Sequence, residues 1–155
     1  MKKGIRLTGN FLHFDQKNLN NRIYTKETVE KMIEQFQKMK EEGPVLGELG
    51  YPSADFPEIN LFNVSHEVEE IHLDEGNKCL SGTVRILDTP KGKLVQELVN
   101  PENSLKLTCR PRGMGTVNEN HEIEDFQLLS FDLLSGPDAF GNIKEDDYLT
   151  LFENE

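Results

Sequence analysis

Four histidines and two cysteines carry most of this chain's capacity for proton transfer, nucleophilic attack or metal binding. His13, His66, His72 and His121 are scattered. None stands in metal-ligand spacing with another or with Cys79 or Cys109, and there is no C-x-x-C pair. Neither a metal centre nor a cofactor is expected. The sharpest chemistry on offer is a cysteine nucleophile, with Cys109 attacking and His66 as its base, because Cys–His pairs recur in hydrolases. The competing reading makes His66 a structural residue, mid-strand in Asn63-Val64-Ser65-His66, and Cys109 a small buried strand residue. His13, His72 and His121 read as surface or partly buried side chains. Tyr51, between Gly50 and Pro52, has an ordinary pKa of about 10 and is a poor proton acceptor at neutral pH.

These residues must be held by elements that the apolar pattern sketches. Gly4 to Phe14 alternates loosely through Ile5, Leu7, Phe11 and Phe14 and reads as one or two short strands. Asn18 to Arg22 is turn-rich. A helix follows: Thr25 is its N-cap, Val29, Met32, Ile33, Phe36 and Met39 share one face, and Gly43-Pro44 stops it. Val45 to Leu49 is a short strand. Phe62 to Leu73 and Leu80 to Leu87 form a strand pair, turned at Asp74-Glu75-Gly76-Asn77. A second helix opens at Thr89 with Pro90 in its first position, buries Leu94, Val95, Leu98 and Val99, and ends at Asn100-Pro101. Ser104 to Arg110 and Ile123 to Leu134 complete the strands. Long strands with only two helices predict a mainly β domain of the α+β class, a barrel with helices packed outside.

The 155 residues suit one domain spanning 1–155. No apolar run approaches the ~20 residues of a membrane span, and the basic N-terminus lacks the apolar stretch of a signal peptide. A net charge of −11 disfavours phosphate backbones, so neither nucleic acid nor membrane is expected as a partner. The acids of Glu67, Glu69 and Glu70, of Glu119 to Asp125 and of Glu145 to Asp147 read as solvated surface rather than a site for a basic partner. The cysteines fit a reducing compartment, although a bridge between them stays open.

An ordered set of short motifs adds a resemblance. It comprises Asn21-Arg22-Ile23-Tyr24, Gly47-Glu48-Leu49, Pro52, Ile59-Asn60-Leu61, Asn63-Val64-Ser65-His66 and Ile86 to Gly92. Arg112-Gly113-Met114-Gly115 and Phe131 to Ser135 complete it. In order and spacing the set resembles the prohead core proteases of tailed bacteriophages, in their T-even-like branch, relatives of herpesvirus assemblin. The likeness spans about residues 18 to 140. It implies a β-barrel ringed by helices, a role in viral head assembly, and a serine nucleophile activated by a histidine that a third group orients.

The resemblance also implies where each group should stand. The family's base is the histidine of a Gly-Glu-x-x-His-Pro motif, and Tyr51 occupies that place. The nucleophile belongs in a Ser-Ser-Arg-Gly-like stretch. Here it reads Leu107-Thr108-Cys109-Arg110-Pro111-Arg112-Gly113, with Thr108 and Cys109 at the serine positions and Pro111-Arg112 inserted. Pairing Arg112 with the family arginine puts Arg110 and Pro111 there instead, and no serine appears either way. Asp132 matches the third position. His66 lies about fifteen residues from the base position, where the family tends to carry a second histidine. In an active relative an arginine such as Arg110 or Arg112 could help hold an oxyanion; here they can also pair with local acids or a partner.

Base and nucleophile are thus both replaced within an intact frame, and triad members act as a unit. No catalytic residue is expected, and Tyr51, Thr108, Cys109 and Asp132 would mark a vestigial site. The expectation is a noncatalytic relative that binds phage structural proteins (capsid, scaffold, portal or tail), in the virion or in the host cytoplasm during assembly. A homo-oligomer is compatible with that role. One alternative is an active maturation endopeptidase acting through Cys109 and His66; another is an acidic binding domain outside any phage.

Overall fold

The computed structural model describes residues 5–18, 21–50, 58–99, 106–135 and 149–152. The described residues form, in chain order, β1 (Ile5–His13), α1 (Lys26–Glu42), β2 (Val45–Glu48), β3 (Val64–Asp74), β4 (Cys79–Ile86), α2 (Pro90–Leu98), β5 (Leu107–Val117), β6 (Ile123–Ser135) and β7 (Thr150–Phe152). A 3-10 turn, Leu61–Asn63, leads into β3. The domain is mainly β, as the strand pattern predicts.

Five strands form one sheet in the order β2-β3-β4-β1-β7, with every neighbouring pair antiparallel. β5 and β6 form a separate long antiparallel pair. The expected closed barrel is therefore corrected to two sheets among the described residues. The physical reason lies at the seams. β2 meets β6 through one parallel bridge, Leu49 to Leu133, rather than a ladder. The register break on β2 at Gly47/Glu48 falls immediately before that bridge and bends the strand there.

The core fills the space between the sheets and under α1. Phe11 of β1 and Phe131 of β6 meet with ring centroids 5.1 Å apart, in a tilted packing favoured by aromatic quadrupoles. Leu7, Val68, Leu80 and Val84 pack from the larger sheet, and Val29, Met32 and Phe36 from α1. The α1 cap is as expected: Thr25 Oγ1 accepts from the Thr28 N–H at 3.2 Å. Polar residues of this helix also serve β6. Gln35 Nε2 donates to the Phe126 carbonyl at 2.8 Å while its Oε1 accepts from the Leu128 N–H at 2.7 Å, and Thr28 donates to the Ile123 carbonyl at 2.9 Å. The helix thereby satisfies main-chain groups that a neighbouring strand would otherwise take.

Two apolar residues stand where the sequence pattern did not place them. The expected strand from Phe62 begins instead at Val64, and Phe62 points into solvent, 92% exposed. Leu94 of α2, expected in the core, is 41% exposed. The α2 contact ridge runs through Gly92 and Val95, its two buried residues, and Leu94 is turned off that ridge by one helical step. Gly92 must be a glycine there, because a Cβ would sit 1.9 Å from the Leu87 carbonyl oxygen. The proposed end of α2 at Asn100-Pro101 lies outside the described residues.

The acidic stretch on β3 is a partly paired face rather than a free one. Glu69 pairs with Arg6 at 2.6 Å and Glu67 with Arg85 at 2.9 Å. Cys79 and Cys109 are both buried and are not bridged to each other. No described helix is long and apolar enough to cross a membrane.

Candidate functional site

Where β2 leaves the large sheet and meets β6, three charged side chains converge. Glu48, the last residue of β2, is buried among apolar strands. Its Oε2 accepts from Arg112 Nη2 at 2.7 Å and from the Asn60 N–H at 3.0 Å, and its Oε1 accepts from Asn63 Nδ2 at 3.2 Å. Its own N–H donates to Asp132 Oδ1 at 3.1 Å. Arg112 Nε lies 3.1 Å from Asp132 Oδ2, an ion pair without hydrogen-bond alignment. Nε and Nη1 of Arg112 are buried with no hydrogen-bond partner among the described residues. One guanidinium thus bridges two carboxylates in low dielectric.

The two acids respond differently. Burial alone would raise Glu48, but the Asn60 amide, Arg112 and Asn63 outweigh it, and the net shift is downward. For Asp132 burial dominates and pushes its pKa up to about 6, against the Glu48 N–H and Arg112. The Glu48 carboxylate adds to the rise.

His66 is fully buried on β3, opposite Gly47 of β2. Its Nε2 is 2.7 Å from the Phe131 carbonyl oxygen and its Nδ1 is 2.8 Å from Ser65 Oγ. A carbonyl can only accept, so Nε2 carries the proton and Nδ1 accepts from the serine. Burial depresses the ring to a pKa of about 4, with the Phe131 contact opposing, so the imidazole is neutral at pH 7. The contact passes directly over Gly47, where a Cβ would lie 2.2 Å from both His66 Nε2 and the Phe131 oxygen. His66 joins the two sheets, and Gly47 leaves it room.

Of the residues singled out in the sequence, Cys109 and Asp132 come together. Cys109 pairs with Leu133 and Arg110 with Asp132 across the β5–β6 ladder. The Cys109 thiol is fully buried and is pushed well above its ordinary pKa, by burial first and by the Asp132 charge second, against Arg110. Thr108 is buried on the next rung and donates to the Leu134 carbonyl at 3.4 Å. Tyr51 lies outside the described residues. Gly50, just before it, donates its N–H to the Leu133 carbonyl at 2.7 Å with φ at +86°, a conformation that favours glycine. His72 and His121 are exposed and His13 is half-buried. Among the described residues no cluster of histidine, cysteine and carboxylate side chains could hold a metal ion.

As a reaction centre this arrangement has specific shortcomings. Ser65 and His66 are within hydrogen-bond reach, as a nucleophile and base must be, but both are fully buried and a substrate cannot approach them. Cys109 has no hydrogen-bonded histidine among the described residues, and its environment favours the thiol over the thiolate. The organising residue is Glu48, which stands out in the sequence only as part of Gly47-Glu48-Leu49. A glutamate between apolar neighbours in a short strand is the signal that marks it, because a buried charge must be paired.

No family model matches the sequence, and a search of curated proteins finds no match. Among solved structures, the capsid assembly protease of bacteriophage T4 superposes with a TM-score of 0.68 over 88% of this chain and 85% of that one, at 22% identity. At that identity the likeness is one of fold. The chain shares its mainly β fold with a phage capsid assembly protease.

Proposed function

We propose that this chain is a noncatalytic phage assembly protein, which uses a prohead-protease fold to bind capsid or other head or tail proteins. The observation that carries this reading is the state of Cys109. It is fully buried, its pKa is raised, and it has no hydrogen-bonded histidine among the described residues. His66, its candidate base, is neutral and has both ring nitrogens engaged elsewhere. The replacement of the family histidine by Tyr51 supports the same reading, since a group with a pKa of about 10 accepts protons poorly at pH 7. Such a protein would act in the host cytoplasm during assembly or remain in the virion.

A second reading, an active maturation endopeptidase cleaving head and scaffold proteins, is favoured by the fold shared with a capsid assembly protease. The test is incubation of the purified chain with the head proteins of its phage, beside Cys109→Ala and Thr108→Ala variants, with gels for cleavage and sedimentation for binding. Binding without cleavage is expected. Cleavage that disappears in either variant would replace the first reading with the second.

A further inference from the structure

The buried carboxylate of Glu48 spends most of its bonding on one short piece of chain. Its two oxygens accept from the Asn60 N–H and from Asn63 Nδ2, the residues on either side of Leu61 and Phe62. Asn63 Nδ2 also donates to the Leu49 carbonyl at 2.8 Å, and Asn60 Oδ1 accepts from the Phe62 N–H at 3.1 Å. The Thr89 hydroxyl at the start of α2 donates to the Val64 carbonyl just beyond the turn. A 3-10 turn anchored at both ends by a buried charge is a rigid mount. What it displays is apolar: Leu61 is 71% and Phe62 92% exposed. The adjoining helix α2 adds the exposed Leu94.

Scattered apolar side chains on a surface need no explanation. This patch differs because its conformation is fixed and because its centre is a fully presented phenylalanine, an aromatic of the kind enriched in the buried cores of interfaces. A prearranged anchor loses little entropy on binding. On α2 the charges beside Leu94 are Lys91 and Lys93, both exposed and without an ion-pair partner among the described residues, and Glu97, which is already engaged. Patch-to-patch packing of two copies would set these lysines against each other, in molecules that each carry −11.

Resting on the assembly role above, we propose that Leu61, Phe62 and Leu94 are the docking surface for a phage head protein, which receives Phe62 in an apolar pocket and meets Lys91 and Lys93 with carboxylates at its rim. The proposal is tested with the purified capsid and scaffold proteins of the same phage, immobilised, against the full chain. The variants are Leu61→Ser/Phe62→Ser and Lys91→Glu/Lys93→Glu. The apolar pair is exposed, so the first variant should melt with the wild type while its affinity falls by about 30-fold or more. The charge-reversed variant should bind more slowly, and by less as salt is added. Unchanged affinity in the serine variant would overturn the docking surface while leaving the assembly role standing. Self-association of the wild type that the serine variant loses would make the patch a contact between copies and overturn the proposed partner. Failure of the wild type to bind any head protein would overturn the docking surface and confine the assembly role to tail proteins.

Discussion

His66 Nε2 on β3 and the main-chain oxygen of Phe131 on β6 stand 2.7 Å apart, and that contact joins the two sheets across Gly47. A histidine spent in this way holds the fold together and is withheld from proton transfer.

The first prediction concerns the space this contact needs. Gly47→Ala would place a methyl group 2.2 Å from both partners, so the chain must give up the hydrogen bond or shift a strand. A destabilisation of about 2–4 kcal/mol is expected from overpacking and a desolvated imidazole. Urea unfolding should show a lower midpoint with an unchanged slope. A midpoint equal to the wild type would mean that the ring is not confined there.

The second prediction concerns acid. His66 has a folded pKa of about 4 against an ordinary 6.5, so its contribution is complete above pH 6.5 and is lost as pH falls towards 4. Between pH 7 and pH 5 the loss is about 2 kcal/mol. Asp132 has the opposite sign. Its folded pKa of about 6 exceeds the ordinary 3.8, so the folded state gains stability as pH falls through 6. Over the same interval that gain is about 1 kcal/mol. In the wild type the Asp132 gain offsets only part of the His66 loss. Asp132→Asn should therefore steepen the acid loss, and His66→Gln should turn it into a gain, whatever either does at pH 7. Parallel stability–pH curves for all three proteins would refute this assignment.

The third prediction concerns Glu48 and Asp132 as joint partners of Arg112. Glu48→Gln or Asp132→Asn alone leaves the guanidinium one counter-charge, whereas the double variant leaves a buried cation with none. Breaking a buried pair costs about 3–5 kcal/mol, and most of that penalty should appear only in the double variant. A double-mutant cycle should return a coupling of at least about 1 kcal/mol. Strict additivity would show that the acids act independently.

The fourth prediction concerns thiol reactivity. Cys79 and Cys109 are both fully buried, and Cys109 is held as the protonated thiol. A thiol-specific reagent should label neither in the native state at pH 7, and both after denaturation. Rapid labelling of Cys109 in the folded protein would revive it as a nucleophile.

Much of the fold was legible in the sequence because local signals agreed with each other. Thr25 capped α1, Val29, Met32 and Phe36 faced inward at helical spacing, and Gly43 followed its end. The β3–β4 pair and its turn followed from alternation and from Asp74 to Asn77. What stayed illegible depends on partners distant in the chain. Gln35 looks like any surface residue of a helix, yet it completes the edge of β6. Phe62 looks like the start of a strand, but the Asn60 cap and the clamp from Glu48 fold its neighbourhood into a turn. The closed barrel failed for the same reason: whether two sheets fuse is decided where β2 meets β6, and no spacing within either strand encodes that. Of the candidate site, Cys109 and Asp132 were legible as neighbours only through the resemblance, while Glu48 was in plain view as a charge among apolar residues.

The order of strands has a consequence for synthesis on the ribosome. β1, made first, ends up between β4 and β7, and its partners on β4 lie roughly seventy positions downstream. At about 5–20 residues per second, β1 must wait on the order of 4–15 s before β4 is available. During that interval Leu7, Phe11 and Leu12 are shielded by nothing the sheet will later supply. The β3–β4 hairpin, closed by a short turn, can form while β1 is still waiting, and then offers it a template edge. Nascent chains halted after β1 should therefore engage a holding chaperone, and chains halted after β4 should release it.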